Sequence, residues 1–352
     1  MRRPIAYFTS VWMACLLVLG AWLGGVGFYV LPVLAFMVVP AIDKRVGTSR
    51  WPSDAALKTI DAAKARGYDA ALITASFTTL LMVAYGLWVA GRWTLTSWEL
   101  GGLILSVGIM SGYVGIVAAH ELIHRSSRVE RLLGWVLMSA ALYPHFCVEH
   151  ILGHHPRFAT PEDHATARRG ESLYVFIPRS IVRGLISAIA FRPVQVLSVY
   201  ALLVLFLVAV YQYLGTTALI FMLAQAFVAI CLLEAINYLE HYGLLRRKLA
   251  SGQYEAPGPG HSWDTSSLMT NLNTFNLGRH SMHHSFARRP YYRLQQNDAA
   301  PQLPHGYATM FLIALVPPLW FRIMDRRLDA WYANAQGGRL AAREGDALVS
   351  QP

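Results

Sequence analysis

The sequence predicts an all-α integral membrane protein of six transmembrane helices whose inner ends carry a histidine-rich, metal-binding layer. Three observations predict it. Of 352 residues, 55% are hydrophobic and only 14% charged, a balance that suits a multi-span membrane protein and not a soluble globule. Apolar runs recur near 8–24, 26–42, 70–90, 100–120, 194–212 and 217–237, each about long enough to cross roughly 30 Å of hydrocarbon. Histidines gather in short clusters: His120/His124, His150/His154/His155 and His280/His283/His284, with His241 closing the last run.

The first run, Ile5 to Ile42, is too long for one crossing and contains Gly24, Gly25 and Gly27, so it reads as a tight hairpin of two helices. Arg2-Arg3 ahead of an apolar run also suits a signal peptide, but no small-x-small cleavage site stands out and a second span follows at once. Residues 43–69 form a polar connection with a short helix capped by Ser53. Span four ends in His120-Glu-Leu-Ile-His124, which puts two imidazoles on one helical face. Residues 131–148 are apolar but short, and are assigned to an inner-leaflet or re-entrant helix so that the clusters stay on one side. Thr160-Pro-Glu-Asp163 reads as a helix start, with His164 on that helix. Residues 173–192, with Arg179, Arg183 and Arg192, read as an interfacial amphipathic segment. Span six places Glu234, Asn237, Tyr238 and His241 on one face, and an ionisable Glu at that depth is a functional candidate. The whole of 1–335 reads as one domain, with metal-binding segments 120–192 and 241–335, and 336–352 as a disordered tail.

Charge sets the orientation. Of 30 Lys and Arg, only Arg92 falls in the expected outer loops, a strong positive-inside bias that puts the N-terminus and the histidine layer in the cytoplasm. The net charge of +10 is then a matter of topology and anionic lipid, not of nucleic acid. Cys15, Cys147 and Cys231 form no CxxC, so electrons must come from another protein.

The topology lets nine imidazoles meet in one layer: His120, His124, His150, His154, His155, His241, His280, His283 and His284. That exceeds the three or four ligands of a single zinc site and suits two metal ions. Imidazole alone does not choose among zinc, copper, iron and nickel. Glu121, Glu149 and Glu240 each flank one of these histidines and point away from it, a placement that suits orienting rings from outside. His145, His164, His261 and His305 stand alone.

The boxes His120-Glu-Leu-Ile-His124, His150-Ile-Leu-Gly-His154-His155 and His280-Ser-Met-His283-His284 resemble those of the histidine-box superfamily that includes fatty-acid desaturases. Asn237-Tyr-Leu-Glu-His241-Tyr-Gly-Leu-Leu-Arg246 is similar to the signature of one branch, the membrane-bound non-haem diiron alkane 1-monooxygenases (AlkB type). Ala159-Thr-Pro-Glu-Asp163, Pro301-Gln-Leu-Pro304 and Pro317-Pro-Leu-Trp-Phe-Arg322 are also similar to that branch, over roughly residues 70–328. The resemblance implies two iron ions on the nine histidines and terminal hydroxylation of medium- and long-chain n-alkanes in a bacterial inner membrane. It also implies electrons from rubredoxin or a ferredoxin, supplied by an NAD(P)H reductase. Glu121, Glu149, Glu240, Glu234 and Asn237 are the candidates for groups around the metals, and Tyr113 and Tyr238 for a substrate sleeve. Two positions depart from the family's pattern: Gly278, where Gln is common, and Met282, where Asp is common.

Alternatives are hydroxylation of methyl groups on aromatic rings, an acyl-lipid desaturase or ketolase, and a metal transporter or structural metal protein. A different class, an intramembrane zinc protease, would use His120-Glu121-x-x-His124 as HExxH with Glu121 as base. It leaves the other boxes surplus.

Overall fold

The computed structural model describes residues 4–49 and 52–349, leaving out the side chains of Asp54 and of 335–349. Among the described residues it is helical, with isolated bridges and no strand. Five helices are long and apolar enough to cross a membrane: Gly25–Val46, Ala62–Arg92, Ser97–Ile123, Leu173–Phe191 and Pro193–His241. The chain is therefore an integral membrane protein.

The N-terminal run is a hairpin. Thr9–Leu23 ends at Gly24, whose φ of +69° is followed by +48° at Gly25, values open to glycine at little cost. The arms touch backbone to backbone: a Cβ on Gly20 would lie 2.2 Å from the Gly27 carbonyl oxygen, and one on Gly27 2.4 Å from that of Gly20. The first arm has 15 residues, shorter than a full crossing. Thr96 and Glu99 form a capping box at the start of Ser97–Ile123, and Glu99 also accepts a hydrogen bond from the Gly25 N–H (2.9 Å), which fixes the hairpin tip.

Ser53 and Asp61 cap the next two helices through Ala56 and Lys64. The second, Ala62–Arg92, starts eight residues before the expected apolar run because Asp61 supplies the cap. Ser97–Ile123 is the central helix. A Cβ on Gly108 would meet Val228 at 2.6 Å and one on Gly112 the Ala229 oxygen at 2.9 Å, so small residues let the two helices approach closely.

Pro193–His241 runs unbroken except at Gly215, with φ 83° and ψ −177°, a region open essentially to glycine alone. Tyr200 bonds His145 (2.6 Å) and Glu234 bonds Tyr143 (2.8 Å). Residues on both sides of Gly215 thus reach one segment, so the chain folds back there into two antiparallel arms.

Arg128–Ala140 is 13 residues long, too short to cross. One expectation is corrected. Residues 160–163 form turns, not a helix start, because Thr160 and Asp163 spend their side chains on the Arg157 carbonyl and on His154. Leu173–Phe191, expected at the interface, is long and apolar enough to cross by length and composition, and its Arg179 pairs with Glu171 at 2.6 Å. The final helix is Pro317–Val349. The tail expected at 336–352 lies outside the residues whose side chains are described.

Candidate metal centre

Each histidine cluster is placed by a different local structure. His120 and His124 sit one turn apart at the end of the central helix, so their rings share a face. The second cluster lies on a π-helical stretch, Glu149–His154. On a regular helix His150 would pair with His154. The wider π turn instead brings His150 and His155 together, with Nε2 atoms 3.0 Å apart, and turns His154 the other way. On the short helix His280–Ser285, His280 and His284 share a face (Nε2 to Nε2, 3.0 Å), while His283 faces His155 (3.2 Å).

The result is two adjacent groups able to hold metal ions: His120, His124, His150, His155 and His283 in one, and His154, His241, His280 and His284 in the other. All nine residues singled out in the sequence are brought together. The facing Nε2 atoms within each group lie 3.0–3.2 Å apart. Neutral imidazoles cannot all donate to one another, so these nitrogens lack partners of their own. Nitrogens about 2.1 Å from a common centre lie about 3.0 Å apart at right angles and about 3.4 Å apart at tetrahedral angles. The spacing thus fits nitrogens that share a metal ion.

Burial keeps the rings ready to ligate. Desolvation lowers the affinity for protons of His150, His155, His280, His283 and His284 well below the ordinary imidazole range, and brings His124 down to about 4. Neighbouring histidines push the same way.

The surrounding groups differ from the sequence expectation. Asp163, read as a helix-start acid, has its Oδ2 3.0 Å from His154 Nδ1 and accepts from Thr166 (2.6 Å). Burial alone would raise its pKa, but His154 and Thr166 bring it down to about 2. Glu240 lies 3.2 Å from His280 Nδ1, at an angle too poor for a hydrogen bond, rather than beside its neighbour His241. Glu121 makes its hydrogen bonds away from the imidazole rings. It accepts from Arg125 (3.0 Å) and the Tyr291 N–H (3.1 Å), which ties it up as the base of an HExxH protease. Glu149 pairs with Arg157 at 3.2 Å. Glu234, 2% exposed, accepts from Tyr143 and, with Asn237, Glu149 and His145, lines a cavity of ≈ 20 Å³ against His150 and His154.

Asp264 is a further residue the sequence reading missed. Its two oxygens accept the Ser281 N–H (2.7 Å) and hydroxyl (2.8 Å), pinning the helix that carries the third cluster. Nothing in the sequence near Trp263-Asp264 signals this, because the contact joins residues seventeen apart, across the short helix Leu268–Asn273. Arg246 donates to the carbonyls of Phe158 (2.9 Å) and Pro156 (3.0 Å), joining the second cluster to the stretch after His241. Phe158 in turn stacks on His284 with centroids 3.9 Å apart.

An apolar cavity of ≈ 30 Å³ lies between Phe36, Ile109, Tyr113, Ile236, Leu239, Tyr307 and Phe311. Tyr238, expected there, packs instead on Trp320 (5.0 Å between centroids) and donates to the Glu171 carbonyl. Met282 is part-exposed, with its sulfur 3.7 Å from Arg289, away from the histidine layer. Gly278 is packed: a Cβ there would lie 2.7 Å from Thr265. Among the other histidines, His145 meets Tyr200 and His261 meets Glu255 (3.2 Å), and neither His164 nor His305 joins a metal group.

Comparison with known proteins agrees with this arrangement. The family model described as "Fatty acid desaturase" matches residues 96–314. The chain is 38% identical to alkane 1-monooxygenase 2 of Pseudomonas aeruginosa over 320 residues, covering 86% of this chain and 84% of that one. It is 35% identical to the alkane 1-monooxygenase of Acinetobacter baylyi, covering 86% and 77%. It is also 28% identical to the xylene/toluene monooxygenase hydroxylase component XylM of Pseudomonas putida, covering 66% of each.

Proposed function

Because the chain belongs to the fatty acid desaturase family, and within it to the alkane 1-monooxygenases, we propose that it hydroxylates the terminal carbon of medium- and long-chain n-alkanes with two non-haem irons held by its nine clustered histidines. One alkane, O₂, two electrons and two protons give one 1-alkanol and one water. The irons, when bound, supply the redox chemistry. The observation that supports this reading best is the division of nine rings into groups of five and four, each with its ligand nitrogens close enough to share an ion.

The chain's own residues do the rest. Asp163 holds His154 in the tautomer that leaves Nε2 free, and Glu240 flanks His280. The apolar cavity takes hydrocarbon from the bilayer and excludes water from the reacting end. Electrons come from rubredoxin or a ferredoxin with its reductase, docking on the basic face, which we place on the cytoplasmic side of a bacterial inner membrane. Six crossings fit this orientation: the N-terminal hairpin, Ala62–Arg92, Ser97–Ile123 and the two arms joined at Gly215. A second reading, hydroxylation of methyl groups on aromatic rings, is favoured by four aromatic residues lining the cavity, Phe36, Tyr113, Tyr307 and Phe311.

Metal analysis of the purified protein tests the centre: two irons per chain are expected, and one zinc without iron would overturn it. Membranes supplied with rubredoxin, reductase and NADH are then given octane, dodecane, xylene and an acyl lipid. The expected product is 1-alkanol. A double bond without any alcohol would place the protein with the desaturases.

A further inference from the structure

The hydrocarbon cavity and the four-histidine group are joined by a single side chain. Tyr307 lines the cavity with its ring, and its hydroxyl donates to Glu240 Oε1. That same oxygen lies 3.2 Å from His280 Nδ1, and His280 Nε2 faces those of His241 (3.1 Å) and His284 (3.0 Å). Tyr307 and Glu240 are each 1% exposed, so water does not loosen the link. The Tyr307 backbone is held too, by its N–H donating to Thr270 (3.0 Å). Any displacement of Tyr307 is therefore carried by its ring.

Occupancy must move it. A cavity of ≈ 30 Å³ has room for about two groups the size of a water molecule. A chain of eight or more carbons enters only by displacing walls. Of those walls, Ala235, Ile236 and Leu239 belong to the long helix that also carries His241. Tyr307 is the wall whose polar end is bonded to the group beside a proposed iron ligand.

We propose that Tyr307 is a positioning residue that couples hydrocarbon occupancy of the cavity to the geometry of the four-histidine group, through Glu240 and His280. The proposal rests on the functional reading above. It makes the site responsive to substrate, so that the centre is rearranged when there is a C–H bond to attack. Coupling of this kind is reciprocal: if hydrocarbon changes the affinity of the group for metal, metal changes hydrocarbon affinity by the same factor. Tyr113 lines the same cavity but makes no hydrogen bond to Glu240, which makes it the control.

The test uses the full chain in detergent, loaded with Co²⁺ as an optical probe, with dodecane affinity measured by displacement of a fluorescent acyl probe. Dodecane should shift the cobalt spectrum in the wild type and in Tyr113→Phe but not in Tyr307→Phe, which still binds both cobalt and dodecane. Cobalt should change wild-type dodecane affinity by on the order of fivefold or more, and leave that of Tyr307→Phe unchanged. A full spectral shift in Tyr307→Phe overturns the proposal. So does a wild-type protein that binds cobalt and dodecane independently, a result that needs no variant. A wild type that binds neither overturns the functional reading itself.

Discussion

Asp163 Oδ2 sits 3.0 Å from His154 Nδ1, and both residues are buried at 2% exposure. This pair turns one ring of the π-helical stretch toward the second metal group while its neighbour His155 serves the first. Asp163→Ala removes the acceptor and leaves the ring unoriented. Chelator competition should find the four-histidine group weakened by about 10–100-fold with the five-histidine group largely intact. Equal loss at both, or at neither, would show that Asp163 does not orient His154.

Burial holds the histidine pKa values down, to about 4 for His124 against 6.5 for a free imidazole. Unfolded chains therefore take up protons first as pH falls, and the unfolded state gains. The metal-free protein should lose stability progressively as pH drops from about 6.5 to about 4 and hold it above 6.5. Thermal unfolding of chelator-treated protein reads this. A melting temperature that stays level or rises over that interval would contradict it.

Gly278 lies two residues before His280, and a Cβ there would lie 2.7 Å from Thr265 Cγ2 and 3.0 Å from Asn271 Oδ1. Gly278→Gln installs the residue common in the family, yet here it overpacks the base of the third cluster. The cost should be about 1–3 kcal/mol, with reduced metal content. Unchanged melting and metal content would mean that the loop yields freely.

Met282 is the opposite case. It is part-exposed beside Arg289, outside the histidine layer, so Met282→Asp should change stability by no more than about 0.5 kcal/mol and leave metal stoichiometry intact. Loss of metal in this variant would place position 282 within reach of the site after all.

Removing Asp264 is expected to be costly. Asp264→Ala leaves the Ser281 N–H buried without its acceptor, a loss of about 2–3 kcal/mol. Because Ser281 follows His280 directly, metal content should fall together with stability. Retained metal with lowered stability would confine Asp264 to a folding role.

Composition and pattern alone determined that this chain is helical and lives in a membrane, since long apolar runs have few other solutions. They also picked out the nine histidines, because clustered imidazoles with no packing purpose are rare in such runs. The sequence could not divide those nine into five and four: His150 pairs with His155 only because the backbone takes a π turn, and nothing in Glu149–His154 announces it. Nor could it identify the supporting carboxylates. Glu121 looked well placed and is held by Arg125, whereas Asp163 looked like an acid of a helix's first turn and reaches His154. Glu240 adjoins His241 in the chain but lies beside His280 in space. Ligand residues are legible because their chemistry is unusual where they stand. Their partners are common acids whose role depends on contacts between distant segments, and only the tertiary structure sets those distances.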